Sequence, residues 1–168
     1  QSLTFTRGYV PSSLCCPSLA SIITGLYPHQ HLITSNDPPI PKGMSNSEFM
    51  KSDEFRQGRE IMKRHMEGAP TLPRLLAGKG YVSLQTGKWW EGSFHTAGFT
   101  SGMTQGSRHG DIGLEIGRET MQPINDFIAD AAKSKTPFFV WYAPFMPHTP
   151  HTPPQRLLTK YESVAPSP

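Results

Sequence analysis

Cysteine is scarce in this chain: there are two in 168 residues, and they are neighbours, Cys15 and Cys16. A disulfide between adjacent residues strains the peptide that joins them, so no disulfide framework is expected. Long apolar runs are also missing, and no stretch approaches the roughly 20 residues that a membrane-spanning helix needs. No leader-like segment is visible, which says nothing of localisation because the chain begins at Gln1 without an initiator methionine. Charge of one sign is nowhere concentrated. Sixteen Lys and Arg against thirteen Asp and Glu leave a formal charge of +3. The basic residues are scattered without interleaved aromatics, unlike a nucleic-acid-binding stripe. No internal repeat is present. Proline (17) and glycine (15) are abundant beside a hydrophobic content of 36%. That balance suits a single core surrounded by long ordered loops rather than a helical bundle.

Residues 15–25 read Cys-Cys-Pro-Ser-Leu-Ala-Ser-Ile-Ile-Thr-Gly. Pro17 has a fixed φ and no N–H to lose, which suits the first turn of a helix. The pattern predicts a helix from Pro17 to about Leu26, with Ile22, Ile23 and Leu26 on one side. Cys15 then sits at or just before the helix N-terminus. Unpaired N–H groups and the positive end of the dipole favour negative charge there, whether a thiolate or a bound anion. The same residues equally suit two small buried side chains that cap an ordinary helix.

Two further blocks stand out. Gly80-Tyr81-Val82-Ser83-Leu84-Gln85-Thr86-Gly87-Lys88-Trp89 reads as a strand over 81–86 running into a loop. Lys88 there is either a solvated surface residue or a point charge for an anion. The stretch from Pro137 to His151 opens with an apolar run, Phe138 to Ala143, that predicts a buried central strand. Prolines then end the strand and stiffen the loop beyond it. That loop carries His148 past the carboxyl end of a strand, where open α/β sheets place their sites. His151, three residues on, fits a solvated loop as well as a role.

Between these blocks, 34–60 predicts a proline-bearing loop and then an ill-defined helical stretch. A helix from about Thr71 to Lys79 follows from Leu72, Leu75 and Leu76 at i, i+3 and i+4, with Gly80 stopping it. Residues 91–117 are rich in glycine and lack periodicity, as in a long active-site loop, and Phe94, Phe99 and Met103 imply that part of it packs. A helix from about Gly117 to Lys133 buries Met121, Ile124, Phe127, Ile128 and Ala131, with Pro123 in its first turn. Alternation of strand and helix predicts an α/β fold with a largely parallel sheet.

Cys15, Pro17, Ser18, Thr24 and Gly25 match in register the Cys-x-Pro-Ser-Arg signature and trailing Thr-Gly of the sulfatases. Phe5-Thr6-Arg7-Gly8-Tyr9 resembles the family's lead-in strand and loop. The 80–89 block is similar to its Gly-Lys-Trp segment, and Pro137-Phe138-Phe139 with Pro147-His148-Thr149-Pro150 is similar to its Pro-Phe-Phe and Pro-His-x-Pro patterns. The three blocks occur in the family's order and span residues 1 to about 161. The resemblance implies a three-layer α/β/α sandwich with a largely parallel mixed sheet, alkaline-phosphatase-like. Residues 1–168 are then part of a single sulfatase catalytic domain, truncated at both ends, with the segment Val164-Ala165-Pro166-Ser167-Pro168 in a loop. It further implies that a formylglycine-generating enzyme oxidises Cys15 to formylglycine, whose hydrated aldehyde attacks sulfur. Cys15 would also be one ligand of a divalent metal, usually Ca2+. Lys88 would neutralise sulfate oxygens, and His148 would protonate the leaving oxygen. The expected partner is a sulfated small molecule or glycan, and the expected compartment is periplasmic or extracellular.

This chain departs from the pattern at two positions. Leu19 stands where the signature has Arg, and Trp90 stands where Gly-Lys-Trp is usually followed by His. That histidine would take the proton whose loss expels sulfate; His29, His31, His95 and His109 are the available substitutes. The Asp-Asp and Asp-Asn pairs through which the family binds most of its metal are absent, so the oxygen ligands that calcium requires are too few here. Two other functions keep the same scaffold: a phosphoester or phosphonate hydrolase of the superfamily, and a catalytically inactive anion-binding protein.

Overall fold

A computed structural model describes residues 3–164; the expected terminal loop at 165–168 lies outside the described residues. Helices α1 (Cys15–Thr24), α2 (Pro28–His31), α3 (Asn46–Phe49), α4 (Asp53–Gly68) and α5 (Leu72–Ala77) precede the first strand, β1 (Val82–Gly87). After it come β2 (Ser101–Gly102), α6 (Gln122–Lys133), β3 (Phe138–Ala143) and α7 (Gln155–Leu158), with single-turn or irregular 3-10 segments at Phe94–Ala97, Arg108–Glu115 and Thr159–Tyr161. The sheet order is β2-β1-β3 and both pairings are parallel. Six consecutive residue pairs join β1 to β3, from Val82 opposite Phe138 to Gly87 opposite Ala143.

Side chains alternate across a strand, so neighbouring residues of β3 report on opposite faces of the sheet. Phe139, Trp141 and Ala143 pack into a core with Cys16, Ala20 and Ile23 of α1, Met62 and Met66 of α4, and Trp89, Trp90 and Phe99. Val140 points the other way, into a second core with Leu84, Ile116, and Ile124 and Phe127 of α6. Helices therefore cover both faces of a parallel sheet, which is the expected α/β/α layering in partial form. β1 is buried from Ser83 to Gly87, although three of those residues are polar. Thr86 Oγ1 donates to the Trp141 carbonyl at 2.7 Å, Gln85 Oε1 accepts from the Thr104 N–H at 3.1 Å, and Ser83 Oγ accepts from the Thr100 N–H at 3.1 Å. Each buried polar group thus ties the strand to its neighbours instead of carrying a desolvation cost.

Several elements differ from the sequence expectation. Residues 5–9 form no strand: Phe5 and Tyr9 are exposed, and no described strand lies beside them to pair with. The strand at 138–143 has the expected bounds, but among the described residues it is an edge strand and β1 is the central one. Phe138 and Tyr142 accordingly face outward. Helix α1 starts two residues earlier than expected, so Cys15 is its first residue. Ile23 is buried while Ile22 is 59% exposed, because neighbours 100° apart on a helix cannot share one narrow contact face. In α5 the buried positions are Thr71 and Pro73 at its start, leaving Leu72 and Leu75 outward. Gly80, at φ +81°, ends the turn after it. The ill-defined helical stretch resolves into α3 and the 16-residue α4, capped by Ser52 Oγ accepting from the Phe55 N–H with Asp53 and Glu54 in the first turn. The helix expected from Gly117 begins at Gln122, with Pro123 in its first turn as anticipated.

Two glycines with positive φ separate strain from crowding. Gly25 caps α1 at φ +70° with open space around it, whereas a Cβ at Gly87, φ +74°, would overlap the Ala143 carbonyl oxygen. Gly25→Ala is expected to cost about 1 kcal/mol, and Gly87→Ala about 3 kcal/mol or more, since overpacking against backbone adds to the strain. Urea midpoints of the two variants check this; equal losses would mean that the β1–β3 contact yields freely.

Candidate active site

The carboxyl ends of β1 and β3 set the site. The Lys88 N–H donates to the Ala143 carbonyl at 2.7 Å, carrying the β1–β3 pairing one step past the strand. Trp141 Nε1 then donates to the Lys88 carbonyl at 3.3 Å. With its main chain held at both ends, Lys88 extends toward the first residue of α1, and its Nζ lies 3.9 Å from Cys15 Sγ. The same ammonium stands 5.6 Å from the centre of the Phe145 ring, a cation–π contact that keeps the charge over the site. Past β3 the chain turns, with the His148 N–H donating to the Phe145 carbonyl at 3.0 Å. The His148 ring stacks on Phe145 at 4.7 Å. Its Nδ1 lies 2.6 Å from the Thr149 carbonyl oxygen, which can only accept, so Nδ1 carries a hydrogen and Nε2 is left for a substrate. Lys88 and His148 thus flank one aromatic ring, beside a half-buried thiol at a helix N-terminus. His151 is exposed in the following loop and joins none of these groups.

A family model described as Sulfatase matches residues 1–167 of this chain, which include all of the elements described above. This chain belongs to the sulfatase family. Human N-acetylglucosamine-6-sulfatase is 62% identical over 34 residues, which are 20% of this chain and 6% of that protein. The Bos taurus protein of the same name is 59% identical over 34 residues, with the same two shares. A Caenorhabditis elegans protein named as an extracellular sulfatase Sulf-1 homolog is 52% identical over 33 residues, 20% of this chain and 5% of that one. The aligned stretches are therefore a small part of those relatives.

Within this sulfatase chain the two adjacent cysteines have opposite surroundings. Cys16 is buried, its N–H donating to Asn36 Oδ1 at 2.8 Å and its Sγ donating to Glu91 Oε1 at 2.7 Å. Burial first, and the neighbouring Glu91 carboxyl second, push the Cys16 thiol far up, so it stays protonated. Burial also raises Glu91, against the pull of the Cys16 hydrogen bond and of Arg59. Glu91 Oε2 has no hydrogen-bond partner among the described residues. Arg59 of α4 donates to the carbonyls of Trp90 and Asn36, bracing the two segments that hold Cys16. No spacing rule linked Glu91, Asn36 or Arg59 to the cysteine pair in the sequence; contacts between residues 75 apart, such as Cys16 and Glu91, come only with the fold.

The two departures from the family pattern sit close by. Leu19 is partly buried against the first core, and Trp90 is 3% exposed, so both apolar replacements are packed as core. The guanidinium of Arg108 is held by Asp37 through two hydrogen bonds, Nε to Oδ1 at 2.8 Å and Nη2 to Oδ2 at 2.7 Å. The Asp37 hydrogen bonds hold the Arg108 guanidinium above its ordinary value, against the opposing effect of burial. Of the four candidate histidines, His31 is buried between Ser21 Oγ and the Ile33 N–H and is a core residue. His29 stacks on Tyr27 and His95 on Phe94, each exposed. Only His109 faces the site, with its ring 4.7 Å from Trp90, 5.9 Å from His148 and 6.2 Å from Phe145.

Calcium takes six to eight oxygen ligands. Among the described residues no three His, Cys, Asp or Glu side chains gather into a metal site. Asn36 and Asp37 are engaged with the Cys16 N–H and Arg108, and Glu91 with the Cys16 thiol. The residues present do not make up a calcium site around Cys15.

Two measurements test these environments. In folded protein with Cys15 unconverted, iodoacetamide is expected to label Cys15 and to spare Cys16 until the chain is unfolded; equal labelling contradicts the buried thiol–carboxyl pair. Glu91 binds its proton more tightly folded than unfolded, so its contribution is full below about pH 4.3 and is lost as pH rises through the raised value. The stability of Glu91→Gln relative to the parent is therefore expected to increase from pH 4 upward in urea titrations. A pH-independent difference would rule out the raised carboxyl.

Proposed function

We propose that the protein carrying this chain hydrolyses a sulfate ester through a formylglycine derived from Cys15, and that residues 1–168 form part of its single catalytic domain. The observation that carries this reading is the 3.9 Å approach of Lys88 Nζ to Cys15 Sγ at the carboxyl end of β1. A reactive group at position 15 is placed where helix N–H groups and an ammonium favour an anion. Lys88 stabilises the charge that develops on the sulfate oxygens. His148, its Nδ1–H held by the Thr149 carbonyl, donates the Nε2 proton of its imidazolium form to the departing alcohol oxygen and is left as the neutral ring. The half-exposed Cys15, rather than the buried Cys16, is the residue open to a formylglycine-generating enzyme. Calcium is the metal that family membership implies, with Cys15 as this chain's ligand to it; no step of the reading passes through the metal.

The substrate proposed is a sulfated small molecule or glycan. The names of the N-acetylglucosamine-6-sulfatase relatives favour a sulfated sugar, and the worm relative's name favours a secreted protein.

Peptide mass spectrometry on the complete protein from its native host is expected to show the aldehyde at position 15. Turnover of an aryl sulfate should exceed that of the matching aryl phosphate; the reverse preference would assign a phosphoester hydrolase. Lys88→Ala should lower sulfate-ester turnover on the order of 10²–10³-fold with little change in the unfolding midpoint. An unmodified thiol together with sulfate-ester binding and no turnover would instead make the protein an inactive anion binder.

A further inference from the structure

The segment Arg108–Glu115 docks on the end of β1 backbone to backbone. A Cβ at Gly110, φ +127°, would overlap the Gly87 carbonyl oxygen, and one at Gly113 would lie 3.0 Å from the same atom. Thr104 Oγ1 donates to the Gly110 carbonyl at 3.0 Å, and the Trp89 N–H donates to the His109 carbonyl at 3.0 Å. Asp111 Oδ2 accepts from the N–H groups of Gln105, Gly106 and Ser107, and the Arg108–Asp37 ion pair pins the segment from outside. His109 sits between these anchors at φ +78°, a conformation that a non-glycine residue keeps only when its surroundings over-determine it. All of this fixes one side chain, an imidazole packed on Trp90 and turned to His148 and Phe145.

The chemistry at position 15 calls for a proton acceptor. Once the alcohol has left, the side chain there is a carbon bearing one hydroxyl and one sulfate, and sulfate departs only if the hydroxyl proton is removed. Lys88 is a cation, so the acceptor is an imidazole, and the two rings turned to the site are His148, which serves the departing alcohol, and His109. Burial, with Arg108 and His148 adding repulsion, holds His109 down to about 4, so at neutral pH its ring is an uncharged base.

We propose that His109, from a segment remote in sequence, takes this hydroxyl proton, in the role that Trp90 leaves vacant. The assignment rests on the sulfate-ester reading above. As the carbon–oxygen bond to sulfate breaks, its electron pair leaves with the sulfate dianion. The O–H pair closes the carbonyl, and the proton goes to the imidazole, so one negative charge before the step becomes two negative and one positive after it.

The test uses the complete protein with position 15 converted, as wild type, His109→Asn and His109→Gln; asparagine tolerates the left-handed backbone that glutamine disfavours. Aryl sulfate is mixed with each, phenol release is followed before the first turnover is complete, and the position-15 peptide is weighed after an acid quench. Both variants are expected to release about one equivalent of phenol and then slow about 10²–10⁴-fold, with sulfate retained covalently on position 15. His29→Asn, at an exposed site away from this cluster, should behave as wild type. Variants that turn over at the wild-type rate overturn the assignment. So does slow turnover with no burst and no retained sulfate in a variant that unfolds at the wild-type midpoint. If converted wild type releases no phenol at all, the sulfate-ester reading falls and this assignment falls with it, whereas a failure confined to the variants removes only the role of His109.

Discussion

One hydrogen bond beyond the end of a strand organises this chain. The Lys88 N–H reaches the Ala143 carbonyl only because Gly87 lacks a Cβ and adopts a positive φ. That contact brings the exits of β1 and β3 together, and Lys88 and the loop that carries His148 leave from those exits. Trp141 seals the arrangement from the core side by donating to the Lys88 carbonyl. The lysine is therefore placed by main-chain geometry, and its flexible stem has only to span the gap to Cys15.

Around that point the chain separates two chemically identical side chains. Cys15 and Cys16 are consecutive on α1, yet the 100° turn between them sends one toward Lys88 and the other into the core against Glu91. Burial keeps the Cys16 thiol protonated and raises the Glu91 carboxyl. Cys16 therefore offers no thiolate beside position 15. The apolar residues at 19 and 90 extend the same dry wall, with the His109 ring packed on Trp90 and Arg108 paired with Asp37.

Much of the scaffold was legible before folding. The apolar run at 138–143 has the bounds of β3, Pro17 lies in the first turn of α1, and the proline at 123 marks the first turn of α6. At the strand exits Lys88 Nζ lies 3.9 Å from Cys15 Sγ and His148 stacks on Phe145. Periodicity failed where burial is decided by distant partners. Leu72 and Leu75 have helical spacing but face outward, and the aromatic residues at 5 and 9 find no strand to join. The His109 environment was illegible for a sharper reason. Residues 91–117 have neither a hydrophobic period nor a regular element to carry one, and their order comes from glycines and backbone carbonyls that only the folded sheet supplies.

The docking of Gly110 and Gly113 on the Gly87 carbonyl carries an implication for how such a site can change over time. A contact between side chains can be repaired after mutation, since a larger group on one side is matched by a smaller one opposite. Here the opposing surface is a peptide oxygen, which every amino acid presents alike. No second-site substitution can make room for a side chain at these positions without moving the main chain itself. The loop is thereby free to vary in the residues it displays while being bound in the path it follows.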